Sequence, residues 1–99
     1  MTNYERYVAL VRSFPVMRFA PGIVDTGPVI AFAQIDEWAV TKDPDGREGI
    51  RATVSFLLNL WHSSHPWRVG KFDLFAALLV WDDEQLAAWK AWAADPWRP

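Results

Sequence analysis

Ile50-Arg51-Ala52-Thr53-Val54-Ser55-Phe56-Leu57-Leu58-Asn59-Leu60-Trp61 decides the fold, because this stretch fits two secondary structures at once. Ile50, Val54, Leu57, Leu58 and Trp61 recur at helical spacing and make one apolar face. Ile50, Ala52, Val54, Phe56, Leu58 and Leu60 also alternate with Arg51, Thr53, Ser55 and Asn59, the period of a half-buried strand. Length separates the two readings. A run this long without a breaker exceeds the usual strand of about five or six residues, so the segment reads as a helix. The alternative is an α+β fold in which residues 30–60 form a β-hairpin about Lys42-Asp43-Pro44-Asp45-Gly46. That pentapeptide is the clearest turn in the chain, since Pro fixes one backbone angle and Asp and Gly suit the flanking positions.

Toward the N-terminus, residues 28–41 place Val29, Phe32, Ala33, Ile35 and Trp38 broadly on one helical face. Asp25-Thr26-Gly27-Pro28 reads as the start of that helix, with Pro28 in its first turn. Residues 15–27 hold Pro15, Pro21, Gly22 and Gly27 and read as an irregular connection. Its Val16, Met17, Phe19, Ile23 and Val24 are expected to tuck onto the core. Thr2-Asn3-Tyr4-Glu5 matches the capping box. Tyr4, Tyr7, Val8 and Val11 then predict a first helix over residues 3–13, closed by Phe14-Pro15.

Toward the C-terminus, Ser63-Ser64-His65-Pro66 ends the central element and Gly70 closes a loop. Phe72, Phe75, Ala76 and Leu79 mark a further helix, with Leu74, Leu78 and Trp81 widening its apolar face. So broad a face predicts burial on two sides. Asp82-Asp83-Glu84-Gln85 opens the last helix: Asp82 can cap it, Gln85 can reach back, and the acids suit the positive end of the helix dipole. Leu86, Trp89 and Ala93 form its inward stripe, and Asp95-Pro96 stops it. The reading is all-α: a compact bundle of four or five short helices in one domain spanning residues 1–99.

Composition fits that reading. A chain of 99 residues, 52% apolar and 22% charged, has the size and balance of one globular domain. Its seven tryptophans stand out. Aromatic side chains bury about 150–250 Å² each, so a few of them fill the centre of a small domain. The formal charge of −2 advertises neither a polyanionic nor a polycationic partner. It is uneven, from +2 over residues 1–24 through −1 over 25–71 to −3 over 72–99, which suits head-to-tail contact. The absence of cysteine excludes disulfides, thiolate metal sites and cysteine nucleophiles, and fits a reducing compartment. The N-terminus lacks a basic region followed by an apolar run, and no stretch has the length of a membrane span. A soluble cytoplasmic protein is the expectation. The glycines are scattered rather than gathered into a phosphate-cradling loop, and the basic residues are dispersed. No cofactor is implied, and nucleic-acid binding has little electrostatic support.

Three groups of residues are candidates for chemistry. His62 and His65 are three apart, as metal ligands on a helix can be, but no third ligand stands at a telling distance and Pro66 disfavours a helical His65. A helix-end cap is the simpler role. Asp36 with Glu37, and Asp82 to Glu84, offer paired acids. The tryptophans are the richest lead. Trp38 and Trp61 sit at periodic positions and read as core. Trp67 and Trp97, in the echo Pro66-Trp67-Arg68 and Pro96-Trp97-Arg98, read as lids. Trp81, Trp89, Trp92 and Trp97 crowd the last nineteen residues. Trp89 and Trp92 lie about 300° apart on a helix, so not all four can point inward. Tryptophan is enriched at interface hot spots.

The leading functional expectation is therefore a protein-interaction module, binding a protein partner or itself as a homodimer through Trp81, Trp89, Trp92 and Trp97. The alternative is a small-molecule binder or minor enzyme with an aromatic pocket near His62 and His65. A second alternative is an acidic inhibitor or nucleic-acid mimic. It requires Asp36, Glu37, Asp43, Asp45, Glu48, Asp82, Asp83 and Glu84 to gather on one surface.

Overall fold

The ambiguous stretch is a helix. In the computed structural model, which describes residues 2–22 and 30–99, α3 runs Ile50–Trp61 and its residues Thr53 to Leu58 are all buried. Burial on nearly every side explains the strand-like alternation, because such a helix has no solvent face to enforce a clean helical period. Its small polar residues enter the interior by turning back on their own backbone. The Thr53 hydroxyl donates to the Gly49 carbonyl at 3.0 Å and the Ser55 hydroxyl to the Ala52 carbonyl at 2.8 Å.

Around α3 stand α1 (Asn3–Ser13), a 3₁₀ turn (Pro15–Phe19), α2 (Phe32–Lys42), α4 (Leu74–Val80) and α5 (Asp83–Ala93). The fold is all-α, and the described residues contain no strand. Polar caps set the starts of α1, α4 and α5. Thr2, Asp73 and Asp82 accept the backbone N–H groups of Glu5, Ala76 and Gln85 at 3.1, 3.2 and 2.9 Å. Helix α3 has no side-chain cap of its own. Buried Asp43 supplies one from the preceding turn, accepting the N–H groups of Glu48 and Arg51 at 3.0 Å each.

Two aromatic clusters fill the bundle, and α3 feeds both. Trp61 packs on Tyr4, Tyr7 and Phe32, and the Tyr7 hydroxyl donates to the Leu57 carbonyl at 2.7 Å. Phe56, at the middle of the helix, packs on Phe14, Phe72 and Trp92. Trp81 lies against Phe14, Phe72 and Trp89.

The structure corrects several expected placements. Residues 25–29, where the sequence puts the cap and first turn of the second helix, lie outside the described residues, as do Ile23 and Val24. Phe19 is 83% exposed rather than on the core. In a 3₁₀ turn it sits about 240° from Met17, which is the buried residue. Ala33 is exposed, two residues from buried Ile35 and so on the far side of α2. Trp61 stands at the edge of its cluster, more than a third exposed.

Candidate functional site

Helix α4, Leu74-Phe75-Ala76-Ala77-Leu78-Leu79-Val80, contains no charged or polar side chain. Only one of its residues is buried: Ala77, at 0% exposure. At about 100° per residue, Phe75 and Leu79 each fall roughly 160° from Ala77, on the opposite side of the helix. They are 85% and 86% exposed, and Leu78 and Leu74 flank them at 46% and 36%. The expected burial of this helix on two sides is therefore corrected. It is buried on one narrow side, and its larger apolar face is open.

The neighbours of α4 explain how it stays in place. Phe72 precedes the helix and Trp81 follows it, and their rings stack on each other at 5.8 Å and 30°. Trp81 is 8% exposed, and its indole N–H donates to the buried Thr53 hydroxyl at 2.9 Å. Gly49, in the left-handed region at φ +77°, lies close to the end of α4. A β-carbon there would stand 3.3 Å from the Val80 carbonyl oxygen and 3.4 Å from the Trp81 ring. Both ends of α4 are thus tied to α3 while its outward face is unused. Beside the ridge runs a groove of about 330 Å³, with Ala76, Leu79 and Val80 of α4 and Ala52 of α3 on its apolar side and Asp45, Arg51, Lys71 and Asp73 on its polar side.

The tryptophans take different parts from those expected. Trp81 belongs to the core. Trp89 and Trp92 are half-buried, their rings 6.4 Å apart and tilted at 46°. The Trp92 indole donates to the Trp97 carbonyl at 3.0 Å, and Arg6 lies 4.2 Å over the half-buried Trp97 ring. Trp67 closes the end of α3, its indole donating to the His62 carbonyl at 2.9 Å. Trp67 thus folds back on the end of its preceding helix, whereas the Trp97 ring lies under Arg6 of α1.

His62 and His65 are exposed, with ring centroids 5.8 Å apart, and His65 packs on Trp67 at 4.1 Å. Among the described residues no group of three potential ligands could hold a metal ion. An aromatic cleft of about 400 Å³ does exist, lined by Phe56, Phe72, Trp92 and Trp97 among others, but neither histidine lines it. A second cleft of about 450 Å³ lies between Trp38, Ile50, Phe19 and Gln85. The Gln85 amide oxygen is buried without a partner, so the reach-back expected of Gln85 is not made by that atom.

Two of the acids are withdrawn from the surface. Asp43 caps α3 from inside. Asp36 is buried on α2, its carboxylate accepting the N–H groups of Arg68 at 2.9 Å and Val69 at 3.0 Å. These two acids hold loops, which removes them from the surface that a nucleic-acid mimic requires. Among the titratable groups, burial, with a contribution from Tyr4, pushes the Tyr7 phenol far above its ordinary value. That keeps it a neutral hydrogen-bond donor.

No protein-family model matches the chain, and neither a curated protein nor a solved structure matches it. No helix among the described residues is long and apolar enough to cross a membrane.

Proposed function

We propose that the chain is a small helical protein-interaction module whose contact surface is the outward face of α4. The supporting observation is the exposure of Phe75 and Leu79 on a helix without a polar residue. Apolar side chains scattered singly over a surface need no explanation, but a contiguous patch on one rigid element marks a contact site. The tryptophan-rich C-terminal region contributes in a different way from that first expected, since Trp81 supports α4 from beneath. Binding through a preformed helix face costs little ordering entropy, because Ala77, Phe72 and Trp81 already hold the element. The absence of cysteine suits a reducing compartment, and we place the module in the cytoplasm.

Photo-cross-linking in the source cells tests the reading. A benzoylphenylalanine installed in place of Phe75 should give a discrete adduct on a denaturing gel. The same group in place of exposed Glu37, on α2, should give none. No adduct from position 75, or the same adducts from both positions, would overturn the reading.

A further inference from the structure

We infer that the partner of α4 is a second copy of this chain, with the two α4 helices packed antiparallel across a two-fold axis. This rests on α4 being a contact surface, and it adds the identity and geometry of what covers it.

The first argument is area. An aromatic side chain offers roughly 150–250 Å² and a leucine toward the low end of that range, so at their observed exposures Leu74, Phe75, Leu78 and Leu79 leave open on the order of 450 Å². Two copies would remove about 900 Å² of apolar surface. A specific interface buries about 1,200–2,000 Å² in total, and about 65% of a homodimer interface is apolar. The patch plus a polar rim therefore fits the lower end of a specific homodimer.

Shape is the second argument. The surface carries both a ridge, Phe75 and Leu79, and an adjoining groove of about 330 Å³ bordered by Ala76 and Leu79. An isologous contact requires such self-complementarity, because each copy must offer what the other receives. In an antiparallel pair, Phe75 of one copy comes opposite Leu79 of the other, while Asp45, Arg51, Lys71 and Asp73 on the groove's far wall supply the polar rim.

Charge is the third. Phe75 and Leu79 are centred on position 77. Lys71 lies six residues before that centre and Asp83 six after it, both exposed. An antiparallel two-fold pairing brings each Lys71 toward the Asp83 of the second copy, with Glu84 beside it. A parallel pairing would set like charges together. Asp73, the cap of α4, makes the lead-in mixed in sign, but the exit Asp82-Asp83-Glu84 is wholly acidic, and only the antiparallel arrangement keeps the two exits apart.

Sedimentation equilibrium on the full chain, from micromolar to millimolar, tests the inference. The wild type should shift from 11.4 kDa toward twice that mass. Phe75→Ser with Leu79→Ser should stay at 11.4 kDa with unchanged helical circular dichroism. Lys71→Glu alone and Asp83→Lys alone should each raise the dissociation constant about fivefold at low salt, the scale of an exposed ion pair. The two reversals together should restore it. A dimer that survives the loss of Phe75 and Leu79, or charge reversals that fail to rescue each other, overturns the arrangement. A wild type that stays monomeric throughout overturns self-pairing. Cross-linking from position 75 to a protein of another mass would then leave the contact surface standing.

Discussion

Replacing Asp36 by alanine should cost about 3 kcal/mol of stability, although the residue resembles one half of a surface acid pair with Glu37. Its two carboxylate oxygens accept the backbone N–H groups of Arg68 and Val69 at 2.9 and 3.0 Å, fastening the loop between α3 and α4 onto α2. Hydrogen bonds to a charged group contribute about 1.5–3 kcal/mol each, and stranding a buried N–H costs about 1–3 kcal/mol. The Val69 bond is buried and the Arg68 bond partly so, which places the total near the sum of two modest terms. For a domain of this size, about 3 kcal/mol lowers the melting temperature by roughly 12–24 °C. Asp36→Asn keeps one acceptor and should lose about half as much, whereas exposed Glu37→Ala should stay within about 0.5 kcal/mol. Urea titrations give the free energies, and amide exchange at residues 68 and 69 shows whether the loop has been released. A loss below about 1 kcal/mol in Asp36→Ala, or a Val69 amide as protected as before, would refute the assignment of Asp36 as the loop's anchor.

Two further outcomes follow from the interior. Tyr7 should make the protein sensitive to alkali. Its folded pKa is raised above the unfolded value of 10.0 by burial, so the unfolded chain loses its proton first. Stability is fully present below about pH 10 and then falls by about 1.4 kcal/mol per pH unit as pH rises. Tyr7→Phe should cost about 1 kcal/mol at neutral pH, through the lost bond to the Leu57 carbonyl, and should flatten that alkaline slope; an equal slope in both proteins would exclude Tyr7 as its source. Gly49→Ala should destabilise by about 1–2 kcal/mol, combining left-handed backbone strain with the contact at the Val80 carbonyl. Gly46→Ala, at φ +76° with open space around it, should cost only the strain, about 1 kcal/mol; equal losses at both positions by denaturant titration would remove the packing term.

Helix ends were legible because they depend on neighbours in the chain. Thr2, Asp82 and the Pro44 turn carry local hydrogen-bond chemistry, and the structure places caps and turn where those residues predict. Facing was less legible, because it depends on what lies across the gap. The pattern around Phe72, Phe75, Ala76 and Leu79 shows a strongly apolar helix without saying which side meets the core. Ala77 decides that side: a small residue allows α4 to approach closely, while bulkier neighbours must point away. A signal existed in the pairing of adjacent alanines, Ala76 and Ala77, within a run of leucines. The roles of Asp36 and Asp43 were hidden for a different reason. Each accepts backbone N–H groups distant in sequence or set by a turn, and backbone donors leave no mark on residue identity.

The tryptophans and the open helix belong to one physical arrangement. A short helix cannot hold its shape alone, since isolated helices under about twelve residues are marginal in water. Seven residues with only Ala77 buried would therefore fray without support at both ends. Phe72 and Trp81 give that support by stacking on each other, and Trp81 is pinned in turn by its bond to Thr53 on the most buried helix of the fold. Large aromatic rings suit the task because two of them span the ends of α4 with few rotatable bonds to freeze. The leucines and Phe75 are then relieved of any part in the core and can face outward without weakening it. Stability thus rests on residues other than those that face outward on the same stretch of chain, which is what allows so small a protein to leave its most apolar helix open.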